Sequence, residues 1–265
     1  MSNGSAGRSG PWSASSGRCE GDRTVALTFP WANLAARLQS SLSLTSPPLA
    51  ITFSSEPISG VEHFEARMPE PLEDGRTGAV PAGCVFWMHA ADRTFSTDAA
   101  DHANCSVGSL THGFLTLDEA ATKSDVATMV EVGWVDMDTV PKIPVVAERP
   151  GAVTYGPLAE TPVDPDVVFL RVNAKQLMVL SDAIPDLRIE GKPQCHIIAV
   201  AKEQGTAAAS VGCAASRART GMPATEMTCA LPASGLADIL GAIDRNAAPD
   251  AAVARYASGD ARRFA

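Results

Sequence analysis

Apolar residues recur every three or four positions at Leu27, Trp31, Leu34, Leu38 and Leu42, the spacing of one helix face, until Pro47-Pro48 ends the segment. Beyond it the period shortens. Leu49-Ala50-Ile51-Thr52-Phe53 reads as a buried strand, and Val167-Val168-Phe169-Leu170-Arg171-Val172, bounded by Pro165-Asp166, is the strongest strand signal in the chain. Val153-Thr154-Tyr155 and Met227-Thr228-Cys229-Ala230-Leu231 add two strands. Helical spacing predicts a short helix around Val61 to Ala66, a helical insertion from Leu117 to Val135, and helices over Ala174 to Ile184 and Ala233 to Ile243. Strands and helices mixed in this order predict an α/β or α+β fold.

Residues 1–24 are dominated by Ser, Gly and Arg, a composition that does not repay the entropy of ordering, and predict a flexible tail. Residues 25–248 read as a single domain, and 249–265 as a C-terminal helix or tail. Within the domain, the order strand, helix, loop, cysteine helix, short strand, cysteine helix occurs twice, at residues 48–114 and 166–222. Two similar halves, and hence an internal duplication, are expected. Cysteines mark both. Cys84 and Cys195 each precede an apolar helical run, Cys105 and Cys213 follow them by 21 and 18 residues, and Gly113 and Gly221 each come eight positions later.

A thiol at a helix start meets unpaired amides and the positive end of the dipole, which favour the thiolate that ligates metals. Cys84, Cys105, Cys195 and Cys213 are therefore the expected cofactor and metal ligands, and four thiolates suit an iron-sulfur cluster of the four-iron type. Zinc held by some of these thiols with His102, His112 or His196 is the alternative, and plain core packing of the thiols is a third reading. His102, three residues before Cys105, and His196, beside Cys195, are candidate catalytic groups. Arg217 is another, because four residues after Cys213 would place it on the thiol's helix face, where it could hold an anionic substrate; Arg219 ranks behind it. His112 ends the Cys105 helix, where the dipole favours an imidazole without catalytic duty. Asn104, Ser106 and Ser109 read as caps, Phe86 and Trp87 as core, and Cys229 as an inert strand residue.

Composition narrows the classes. With 265 residues, 45% of them hydrophobic, the chain can bury a full core, and its formal charge of −9 disfavours a phosphate backbone as partner, so no nucleic acid is expected. No run reaches the roughly 20 apolar residues of a membrane span, and the first residues lack the apolar stretch of a secretory signal. A cytoplasmic location follows as an expectation, and in that reducing setting the six cysteines read as thiols rather than disulfides. The chain has no Gly-rich dinucleotide fingerprint, phosphate-binding loop, His-Glu-x-x-His helix, nucleophile elbow or Cys-x-x-Cys.

Pro48-Leu49-Ala50-Ile51, Gly83-Cys84, Cys105-x-x-Gly108, Pro165-Asp166-Val167-Val168-Phe169 with Asn173-Ala174-Lys175-Gln176, Cys195, and Gly212-Cys213 with Arg217 resemble the landmarks of the ArCR family, a bacterial and archaeal domain of unknown function. The resemblance spans residues 40–245; Lys192-Pro193-Gln194 stands where many members are more Gly-rich. It implies a family and names no activity. The residues themselves lead to the expectation of a cysteine-centred metalloprotein that catalyses a redox or lyase reaction on a small molecule, with an electron-donor protein as a further partner. The alternative is a non-catalytic sensor, carrier or thiol clamp.

Overall fold

The computed structural model describes residues 30–65 and 83–264, so the expected tail, with Trp12 and Cys19, and Leu27 of the first expected helix lie outside the described residues. The fold mixes α and β around a seven-stranded sheet. Its strands are β1 (Leu49–Ser54), β2 (Phe95–Thr97), β3 (Ala152–Pro157), β4 (Val167–Val172), β5 (Arg188–Glu190), β6 (Ala208–Ser210) and β7 (Met227–Pro232), in the order β2-β3-β1-β4-β7-β6-β5. Neighbours are antiparallel except β5 and β6. β1 and β4 pair at the centre with Leu49 opposite Phe169.

These two strands read as continuous apolar runs because helices cover both faces of the sheet. Ala50, Val168, Leu170 and Val172 pack into one core layer, which α1 (Trp31–Leu42), α6 (Ala174–Ala183) and α9 (Leu236–Phe264) complete. Leu49, Ile51, Val167 and Phe169 point the other way, into a second layer built with α2 (Gly83–His89) and α7 (His196–Gln204). The period-two alternation is thus present, hidden by apolar residues on both sides. α6 begins where the sequence placed it because Asn173 and Gln176 form a reciprocal capping box.

Three local expectations change. Residues 61–65 form no helix: Phe64 N donates to Ser96 O and Ser96 N to Glu62 O, both at 2.8 Å, which lays the segment beside β2. The Phe64 ring, packed on Phe86 and Phe95 at 4.9 and 4.8 Å, fixes it there. Ala66 lies outside the described residues. β5 was not expected in the loop before Cys195, since three residues with charged ends carry no strand signal. The C-terminal segment is not a separate helix, because α9 runs on through Pro249, which sits at an exposed position where water can satisfy the carbonyl its missing N–H leaves unbonded. Outward from β1 and β4 the strand order matches, β3 then β2 on one side and β7 then β6 on the other, but the halves do not agree element for element. No helix among the described residues is long and apolar enough to cross a membrane.

Candidate functional site

Four short helices converge on the second face of the sheet. α2 packs against α8 (Ala214–Thr220) and α3 (Ser106–Thr111) against α7, so each helix of one chain half meets a helix of the other. Their first turns carry the four thiols. Cys84 is the second residue of α2, while Cys105, Cys195 and Cys213 are the N-caps of α3, α7 and α8. All four line one cavity of about 380 Å³. The remaining wall is mostly apolar, with Trp87, Val107, Met129 and Trp134 among its residues.

Burial pushes the Cys84 and Cys195 thiols above their ordinary range, and negative charge on the neighbouring cysteines adds to the effect. The Ser216 hydroxyl opposes it at Cys84, whereas Thr111, near Cys195, donates its proton to Gly108 O at 2.9 Å. Gln194 Nε2 donates to Ser216 Oγ at 2.5 Å, so Gln194 orients the hydroxyl beside Cys84. Arg219 on α8 lies at the rim, where its guanidinium donates to Asn104 O at 3.0 Å and contacts the Cys105 sulfur.

Part of the wall comes from the insertion between α3 and β3. It forms two helices, α4 (Leu117–Ala121), opened by a Thr116–Glu119 capping box, and α5 (Ser124–Glu131). Asp125 of α5 accepts from Ser106 N at 2.9 Å and from Ser106 Oγ at 2.6 Å. It therefore caps α3, whose own N-cap Cys105 makes no side-chain cap. Replacing Asp125 with alanine is expected to cost about 1–2 kcal/mol and to speed alkylation of Cys105 in metal-free protein, measured by mass spectrometry of iodoacetamide-treated samples; an unchanged rate would mean that α5 does not shield the thiol.

The polar candidates separate. Arg217 is not at the cavity. Its guanidinium donates to Pro223 O, Val211 O and Glu226 O at 2.8, 2.9 and 2.6 Å, passing Gly212 so closely that a Cβ there would lie 2.8 Å from Nε. With φ at +124°, Gly212 makes a turn that glycine favours, and Arg217 pins the loop that presents Cys213. The cationic place is taken by Arg219. His102 lies behind the wall, fully buried between Phe86, Phe114 and His112. Thr97 Oγ1 donates to Val153 O and so accepts from His102 Nε2–H at 3.1 Å. His196 faces a neighbouring pocket with Lys192, its Nε2 3.3 Å from Glu190 Oε2.

Sequence reasoning gave His112 no catalytic duty, yet it lines the cavity. Its Nδ1–H donates to Gly108 O at 2.9 Å, and its Nε2 finds no hydrogen-bond partner among the described residues. Trp87 Nε1 and Gln194 Oε1 are also buried in this wall without partners among the described residues. Nothing in the sequence marks Gln194 or Asp125, since each acts on a residue 19 or more positions away.

Among the described residues, the group of three potential ligand atoms within 4.8 Å of one another is His63, Asp98 and Asp101, away from the thiols. No three of the four sulfurs approach that closely.

The family described as Uncharacterised ArCR matches residues 37–242, which include every residue of the cavity. No curated protein and no solved structure matches the chain.

Proposed function

The chain belongs to the uncharacterised ArCR family, and from that premise we propose that it is an iron-sulfur protein that carries out a redox or lyase reaction on a small molecule held beside the cluster. The observation that carries this reading is the convergence of Cys84, Cys105, Cys195 and Cys213, from four separate helix starts, on one cavity. Four thiolates gathered there repel one another, and the neighbouring Arg219 offsets one charge. Several metal cations together would hold all four as thiolates.

The chain's own groups do the rest. Ser216, oriented by Gln194, supplies a hydrogen bond to the Cys84 sulfur, which would tune a cluster's charge and potential. Trp87, Val107, Met129 and Trp134 keep the space beside the thiols largely free of water, and Arg219 at the rim offers a cation to an incoming anion. A bound cluster would supply an electron or, at an iron with an open position, a Lewis acid. An electron-donor protein is the partner the redox version needs.

The test is anaerobic expression followed by measurement of iron, acid-labile sulfide and zinc. Roughly four iron and four sulfide per chain, with a brown colour that fades in air, are expected. Each of Cys84→Ser, Cys105→Ser, Cys195→Ser and Cys213→Ser should lower the iron content while circular dichroism stays unchanged. Zinc without iron, or metal content indifferent to all four changes, would overturn the proposal.

A further inference from the structure

His112 and Trp87 line the thiol cavity without holding sulfur, and Gln194 and Arg219 keep bonding capacity beyond their contacts to Ser216 and Cys105. A buried polar atom without a partner costs about 1–3 kcal/mol, and native proteins keep few of them. Three belong to residues of this one wall: the indole Nε1 of Trp87, the imidazole Nε2 of His112 and the amide Oε1 of Gln194, on side chains that are each at most 2% exposed. Their chemistry differs. The indole N–H donates, the amide oxygen accepts, and the imidazole state is fixed by its other nitrogen. Because Nδ1–H of His112 is spent on Gly108 O, Nε2 presents a lone pair. Burial supports that state, since it lowers the His112 imidazole from 6.5 to about 4 and keeps the ring neutral at pH 7.

Arg219 supplies the charge. Contacts to Asn104 O and the Cys105 sulfur engage part of its guanidinium, which carries five donor hydrogens. Asp125, the carboxylate on the same wall, does not compete for it, because both its oxygens accept from Ser106. One cation matches one negative charge, and its planar fork fits a carboxylate. The mostly apolar remainder suits a short carbon skeleton.

We propose that the cavity recognises a small monocarboxylate that also carries a hydroxyl, thiol or amine, with Arg219 and Trp87 Nε1 on the carboxylate and His112 Nε2 accepting the hydrogen bond of the second group. This rests on the part of the function proposed above in which the cavity takes a small molecule, and it does not need the metal.

The test uses butyrate, 2-hydroxybutyrate, 3-hydroxybutyrate and 1-butanol as probes, titrated into the full chain and followed by NMR of 15N-labelled histidine and tryptophan side chains. Iron and sulfide are measured on the same samples, so that protein lacking iron but still binding separates failure of the cluster reading from failure of this one. At least one hydroxybutyrate should bind about threefold to tenfold more tightly than butyrate, the worth of one hydrogen bond, and should shift the His112 Nε2 resonance where butyrate does not. His112→Phe should abolish that preference, whereas His112→Gln, which keeps an acceptor, should retain part of it. Arg219→Gln should weaken all three acids by a similar factor and leave 1-butanol unaffected. If His112→Phe does not fold, the wild-type Nε2 shift decides. Equal binding of butyrate and both hydroxybutyrates, an Nε2 resonance indifferent to the hydroxyl, or no saturable carboxylate binding would overturn the proposal.

Discussion

Metal-free protein is expected to lose stability steeply as the pH falls below 6.5. His102 and His112 are buried with their ring centroids 5.2 Å apart. Burial lowers both imidazoles, and at His102 the charge of His112 adds to it, since two cations cannot be held so close in an apolar layer. For a base whose folded value is depressed, the unfolded chain binds the proton first. The stabilisation is therefore complete above 6.5, the ordinary value, and is lost as the pH falls towards 4, the value for His112. A shift of that size corresponds to about 3 kcal/mol, a large part of a typical total of about 5–15 kcal/mol; His102 adds to it in the same direction. Urea midpoints at pH 7.5, 6, 5 and 4.5 check this, with His112→Gln as the control that flattens the slope. A flat profile between pH 7 and 5 would show that these rings are not held neutral.

Replacing Phe169 with alanine should cost about 3–5 kcal/mol. The side chain is fully buried in the centre of β4, opposite Leu49 of β1 and Ala230 of β7, with its ring 4.5 Å from that of Trp87. Trp87 in turn lines the thiol cavity, so the vacated space unseats the wall nearest the sheet. On the iron-sulfur proposal, iron bound per folded chain should fall together with the denaturation midpoint. Met178→Ala, at a position 53% exposed, should change stability by less than about 0.5 kcal/mol. A Phe169→Ala protein with wild-type stability would mean that the layer beneath the cavity collapses to fill the gap.

Much of the framework could be read along the chain. β1 and β4 stand out because burial on both faces leaves them uninterrupted runs, α6 because its capping box is local, and the four thiols at helix starts because each sits next to its own turn. The choice of Arg217 over Arg219 shows where local reasoning fails. A spacing of four puts two side chains on one face only when both residues are helical, and Cys213, at φ −135° and ψ 132°, is extended. Its thiol therefore leaves along a direction that helix counting does not describe. Asp125 and Gln194 depend on contacts made across the fold, and His63 is held by β2, a strand whose three residues carry almost no pattern of their own.

The crosswise packing of α2 on α8 and α3 on α7 gives the site a consequence for the protein's lifetime. Anything bound by all four thiols would fasten residue 84 to residue 213 and so close a loop over nearly half the sequence. Such a fastening restricts the unfolded chain as a cross-link does. An oxidant that removed it would loosen both ends of the sheet together, so exposure to oxygen would set how long the molecule persists before proteolysis as well as whether it works.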